Sequence, residues 1–135
     1  MLWSRSALRA PGFAVVVLAA PVSPMQGPAS ILGTWVGESR CVGDHPSCHP
    51  EHVIYQVDSA GAAIVVRGAR TAGVDTVQMG SLECRRQASP AEVTCSIGSG
   101  VWRFWVAQDS LRGSLTLTDG SVMRAVVAGR RLTTR

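Results

Sequence analysis

From residue 31 onward, short apolar runs rich in Val, Ile, Thr and aromatics are interrupted by Gly, Pro, Ser or Asp. The interruptions recur about every 8–12 residues, the spacing of an antiparallel sandwich or barrel. No window longer than about ten residues keeps a 3.6-residue period, so helices are not expected. The runs predict strands over 31–40, 52–58, 62–69, 73–78, 80–86, 92–97, 101–107, 111–118 and 121–129. Segments 73–78 and 80–86 also read as one strand with a bulge at Gly80.

The C-terminal half permits a stricter test, because four turns each imply a register. Thr118-Asp119-Gly120-Ser121 is a hairpin signal, with Asp-Gly suited to a type I′ turn. It sets Leu117 opposite Val122, Leu115 opposite Arg124 and Gly113 opposite Val126. A turn at Gln108-Asp109 sets Val106 opposite Leu111, Phe104 opposite Gly113 and Trp102 opposite Leu115. A turn at Ser99-Gly100 sets Ile97 opposite Trp102 and Cys95 opposite Phe104. A turn at Ser89-Pro90 sets Cys84 opposite Cys95 and Leu82 opposite Ile97. Side chains alternate between faces. All four turns therefore put Leu82, Cys84, Cys95, Ile97, Trp102, Phe104, Val106, Leu111, Leu115, Leu117, Val122 and Val126 on one inner face. That agreement predicts a meander. Gly113 leaves room for the Phe104 ring.

The first thirty residues stand outside this pattern. Arg5 and Arg9 precede a continuous apolar block from Gly12 to Ala20, too short to span a bilayer. This reads as a signal peptide over 1–19, cut after Ala19, since Pro21 blocks cleavage directly before it. A mitochondrial transit peptide is the competing reading, but those are amphipathic rather than continuously apolar. Pro21, Pro24, Gly27 and Pro28 make residues 20–30 a short tether, leaving one domain over 31–135. A secreted or periplasmic protein without a transmembrane segment is expected. Of the 13 basic residues, Arg5 and Arg9 fall in the leader, leaving 11 against 9 acids and a net charge of +2. Such a weak excess, scattered rather than striped, does not point to nucleic acid. Without any asparagine there is no N-glycosylation site.

Export changes how the cysteines read. Four of them, in an oxidising compartment, suggest two disulfides. The hairpin register favours Cys84–Cys95, leaving Cys41–Cys48. Residues 41–52 also hold all three histidines, His45, His49 and His52, with Asp44 and Glu51. Cys41, His45, Cys48 and His49 are the conceivable zinc ligands, but their spacing matches no paired-ligand pattern and thiolate ligation needs reduced sulfur. A disulfide-bonded loop without metal is expected, and no cofactor.

One inner-face position is wrong for a core. Arg124 would bury a guanidinium, at a cost of several kcal/mol unless it is paired. Either it lies near a rim with its head in water, or it stacks on an aromatic ring, for which Trp35 is the candidate. Gly33-Thr34-Trp35 on the first strand, a meander of eight or nine strands and an arginine on the last strand resemble the calycin group of lipocalins, fatty-acid-binding proteins and avidins. In lipocalins such a tryptophan packs against an arginine from the end of the barrel. The resemblance implies an up-and-down barrel of about eight strands, with Arg124, or less favourably Arg130, covering Trp35. The segments LGTWVGESRC, EHVIYQV and WRFWVAQDSLRGSLTL also look like those of small exported bacterial proteins, a likeness that implies no activity.

Two functional readings follow. The first, implied by the resemblance, is a lumen that holds a small apolar or anionic ligand through Trp35, Tyr55, Trp102, Phe104 and Arg124. The second is a module that binds another exported protein through Arg103, Trp105 and Arg112 on the outer face and the 41–52 loop. Trp105 falls opposite Arg112, where a surface cation–π pair is expected. There is no Gly-x-Ser-x-Gly, no His-Glu-x-x-His and no phosphate-cradling glycine loop. A non-enzymatic protein is expected. Oligomeric state is not legible.

Overall fold

The computed structural model describes residues 11–17, 30–89 and 91–131. Of the leader and tether expected over 1–30, only residues 11–17 and 30 fall within them. Eight strands follow in order: β1 Gly33–Cys41, β2 Glu51–Ala60, β3 Ala63–Ala72, β4 Asp75–Arg86, β5 Glu92–Ile97, β6 Gly100–Ala107, β7 Ser110–Leu117 and β8 Val122–Arg130. Each is antiparallel to its neighbour in sequence, and β8 returns to β1, so the sheet is a closed barrel. The all-β meander read from the sequence is the fold. Among the described residues no helix is long and apolar enough to cross a membrane.

Period-two alternation explains the core. On β2, Val53, Tyr55 and Val57 point inward and are buried. On β3 the same is true of Ile64 and Val66, and Trp35, Phe104, Leu111 and Val126 complete the interior from other strands. Each such aliphatic or Phe side chain contributes about 1.5–3 kcal/mol by leaving water.

The 73–86 segment is one strand with a bulge. Gly68 pairs with Gly80 and Ala69 with Gln78, so Met79 is the extra residue. Gly80 has φ 133°, a backbone conformation that side chains beyond glycine rarely adopt. Past the bulge the ladder to β5 is short, with register pairs only at Arg85–Thr94 and Arg86–Val93. The Cys84–Cys95 disulfide sits at the next step of this register. The second disulfide joins Cys41 to Cys48.

Two hairpins depart from their expected registers. At β5–β6 the loop is Gly98-Ser99, and Cys95 faces Trp102 while Val93 faces Phe104. This is a slip of two residues, which leaves every side chain on its expected face. At β7–β8 only Gly120 has positive φ, 87°, so the two positive φ values of a type I′ turn are not met. The loop takes one residue more, with the Leu117 N–H donating to the Ser121 carbonyl. Thr116 then faces Val122, and a bulge at Met123 restores Leu115 opposite Arg124. The correction falls on Val122, expected inside and found exposed. Gly113 does lie against Phe104: a Cβ there would meet the ring at 2.8 Å.

Candidate functional site

The two barrel ends differ. At one, the chain entering β1 folds beneath the barrel and buries Ile31. Trp35 Nε1 donates to the Ile31 carbonyl at 2.9 Å. The Arg130 guanidinium lies 4.2 Å over the Trp35 ring and donates to the Leu32 and Ser30 carbonyls, both at 2.7 Å. The tryptophan–arginine pair expected at the barrel end is therefore present, but its arginine is Arg130 and not Arg124. Both residues have inward parity on β8. The β1–β8 closure decides between them, placing Trp35 opposite Arg130 and Cys41 opposite Arg124.

Arg124 thus lies toward the other end, its side chain only 15% exposed. Its Nη1 donates to Ser39 Oγ and to the His49 carbonyl, each at 3.1 Å. The Glu51 carboxylate stands 3.8 Å away. These partners offset the desolvation of its charge and tie the 42–50 loop to the wall.

Between these ends lies a cavity of about 220 Å³, partly open to solvent. Tyr55, Val66, Leu82, Trp102 and Phe104 supply most of its wall, and the bulged segment Met79-Gly80-Ser81 with Gly68 supplies the rest. Trp102 and Phe104, two apart on β6 and so on one face, stack with centroids 5.2 Å apart. Tyr55 meets Phe104 edge-on at 5.3 Å. Of the candidate ligand residues, the structure brings together Tyr55, Trp102 and Phe104. Trp35 is fully buried at the closed end, and Arg124 is engaged by its own partners; neither lines the cavity.

Tyr55 is the single tyrosine of the chain. Burial pushes its pKa up to about 12, against a lowering by the Arg124 charge and with a smaller raising by Glu51. The cavity wall is therefore uncharged at neutral pH. The folded pKa lies above the ordinary value, so unfolding releases a proton in alkali and stability falls as pH rises from 10 toward 12, by about 2–3 kcal/mol. Ultraviolet titration of the phenol in the folded protein should show a midpoint near 12. A midpoint near 10 would place the hydroxyl in bulk water.

On the outer face, Arg103 rather than Arg112 covers Trp105, at 4.8 Å from the ring. Arg112 is the cross-strand partner of Trp105, but Arg103 is held over the ring by its ion pair with Glu92. That pairing lowers the Glu92 pKa and raises that of Arg103. Trp105 is thereby half-covered. In the 41–52 segment, His52 stands 3.6 Å from Glu38. Among the described residues no group of three His, Cys, Asp or Glu is placed to hold a metal ion.

Sequence reasoning missed Val66, Gly68, Met79, Gly80, Ser81 and Leu82 as cavity residues. The bulge at Gly80 was the available signal, since a bulge turns the strand and opens its local pairing.

The geometry defines a small up-and-down antiparallel barrel with one end plugged and a partly open apolar cavity lined from β2, β3, β4 and β6. Sequence comparison matches no protein-family model and no curated protein. Among solved structures, the chain is similar to an ileal bile acid-binding protein from zebrafish in complex with cholic acid. The TM-score is 0.45 at 9% identity, over 76% of this chain and all of that one.

Proposed function

We propose that this protein is an exported, non-catalytic barrel that holds a small, mainly apolar molecule in the cavity beside the β4 bulge. The observation that carries the reading is the cavity itself: about 220 Å³ walled by Tyr55, Leu82, Trp102 and Phe104. Ligand sites are concave, largely apolar and furnished with few polar groups. This one is below the roughly 300–1,000 Å³ of drug-sized pockets, so the ligand is compact. Among the described lining residues the one titratable side chain, Tyr55, is neutral at physiological pH. That favours binding over acid–base chemistry. Two disulfides support an oxidising compartment, and with the apolar leader they favour export with cleavage after Ala19.

A variant that fills the cavity tests this. A Cβ on Gly68 would lie 3.3 Å from Met79 Cε and 3.4 Å from Tyr55 Cε1. The flexible methionine end can yield. Gly68→Val should leave the circular dichroism spectrum intact and weaken binding of a small apolar fluorescent probe at least tenfold. Probe binding unchanged in a folded Gly68→Val variant would remove the cavity as the site.

A further inference from the structure

We infer that the β3–β4 hairpin pairs with the same hairpin of a second copy of this chain, β4 against β4 across a twofold axis. From Asp75 to Glu83, β4 is laddered to β3 on one side. Among the described residues its other edge is unpaired there, since the register pairs with β5 stand at Arg85 and Arg86. Extending that register sets Ile97, where β5 ends, level with Leu82, so β4 outruns its neighbour. Past that level both strands of the hairpin are exposed on both faces, from Arg70 to Ala72 and from Asp75 to Ser81. Two strands alone are marginal and need a further strand or a packed face. Pairing with a copy makes four. The hairpin also gathers three exposed apolar side chains: Val74 at its tip, Val77 and Met79.

The chemistry of this edge matches itself. Open edges are ordinarily blunted by Lys, Pro or an inward charge, and none of these falls between Asp75 and Glu83. The bulge at Met79 confines regular pairing to Asp75–Met79. Antiparallel pairing centred on Val77 then sets Val77 against Val77 of the copy, Thr76 against Gln78 and Asp75 against Met79. The apolar pair sits at the axis. The two Asp75 carboxylates stand four residues apart along the strand, about 13 Å at the strand rise, beyond the screening length of about 8 Å. In this register the copy's hairpin tip stops short of Ile97. The chain's own tether is a poor rival for the edge, because Pro21, Pro24 and Pro28 cannot donate to a ladder. Pairing of this edge needs no ligand in the cavity.

Sedimentation velocity of the disulfide-bonded chain over roughly 1 µM to 1 mM, the range of a small transient interface, should show monomer passing to dimer. No larger species should follow, since a twofold contact closes on itself. Val77→Lys sets like charges face to face at the axis and should weaken the dimer about tenfold with the circular dichroism spectrum intact. Should that variant fail to fold, Gln78→Lys takes its place: its two copies lie diagonally across the axis, and a smaller loss is expected. Val101→Lys, at an exposed apolar position on β6, should leave the dimer unchanged. A monomer throughout the range overturns the inference. So does a dimer lost with Val101→Lys and indifferent to Val77→Lys and Gln78→Lys, which puts the contact on another face. A monomer that floats with phosphatidylcholine–phosphatidylglycerol vesicles, and ceases to after Val74→Asp, gives the hairpin tip to a membrane and overturns it as well.

Discussion

Trp35→Ala is expected to destabilise the barrel by about 3–5 kcal/mol, the range for removing a large buried aromatic. The residue is fully buried and joins three things at one point: the β1 ladder, the Ile31 carbonyl and the Arg130 guanidinium. Without the indole, the segment under the barrel loses its hydrogen-bond donor and Arg130 loses the ring it covers. Arg130→Ala should cost less, about 1–2 kcal/mol, because the ring and its burial remain while a stacked cation and its bonds to Leu32 and Ser30 go. Arg130→Lys should recover little, lacking the planar group. Chemical denaturation followed by circular dichroism checks the series. Equal, negligible effects of Arg130→Ala and Arg112→Ala would show that the pair contributes nothing to the closed end.

Removing the Cys84–Cys95 bridge is the second large change. By the loop-entropy model, a bridge across 11 residues stabilises by about 3 kcal/mol. Its position adds to that. The β4–β5 seam has only two register pairs beside it, whereas β3–β4 pairs from Ile64–Cys84 to Ala72–Asp75. Cys84→Ser/Cys95→Ser should therefore lose about 3 kcal/mol or more, and the transition should broaden as the barrel opens at this seam. An opened seam exposes two unpaired strand edges, a template for pairing with another chain, so the variant should aggregate on warming. Cys41→Ser/Cys48→Ser removes a bridge across 7 residues in a surface loop still held by Arg124. It should cost about 2 kcal/mol without aggregation. Similar aggregation of both variants would show that the seam is not the weak junction.

Much of the fold was legible because turn chemistry and alternation are local. Gln108-Asp109 fixed β6 against β7, with Phe104 opposite Gly113 as observed. The 89–90 turn put Cys84 opposite Cys95, and the two are bonded. The errors have the same origin. Asp119-Gly120 suits a two-residue turn or a longer one with glycine at the positive-φ position, and the choice depends on whether Met123 is accommodated as a bulge. Arg124 and Arg130 are six residues apart, so parity puts both inside. Which one meets Trp35 is set by the stagger at which β8 closes on β1, a property of the whole barrel.

The strap that plugs the barrel also fixes how the molecule can be held. Ser30 is bonded to Arg130, and the Arg131 N–H donates to the Thr34 carbonyl, so the chain enters and leaves the barrel side by side at the plugged end. A surface linkage made at residue 30 or residue 131 therefore pulls from the plugged end. Held that way, the barrel turns its β3–β4 and β7–β8 hairpins away from the support, and the stability of the barrel should not depend on which of the two positions carries the attachment.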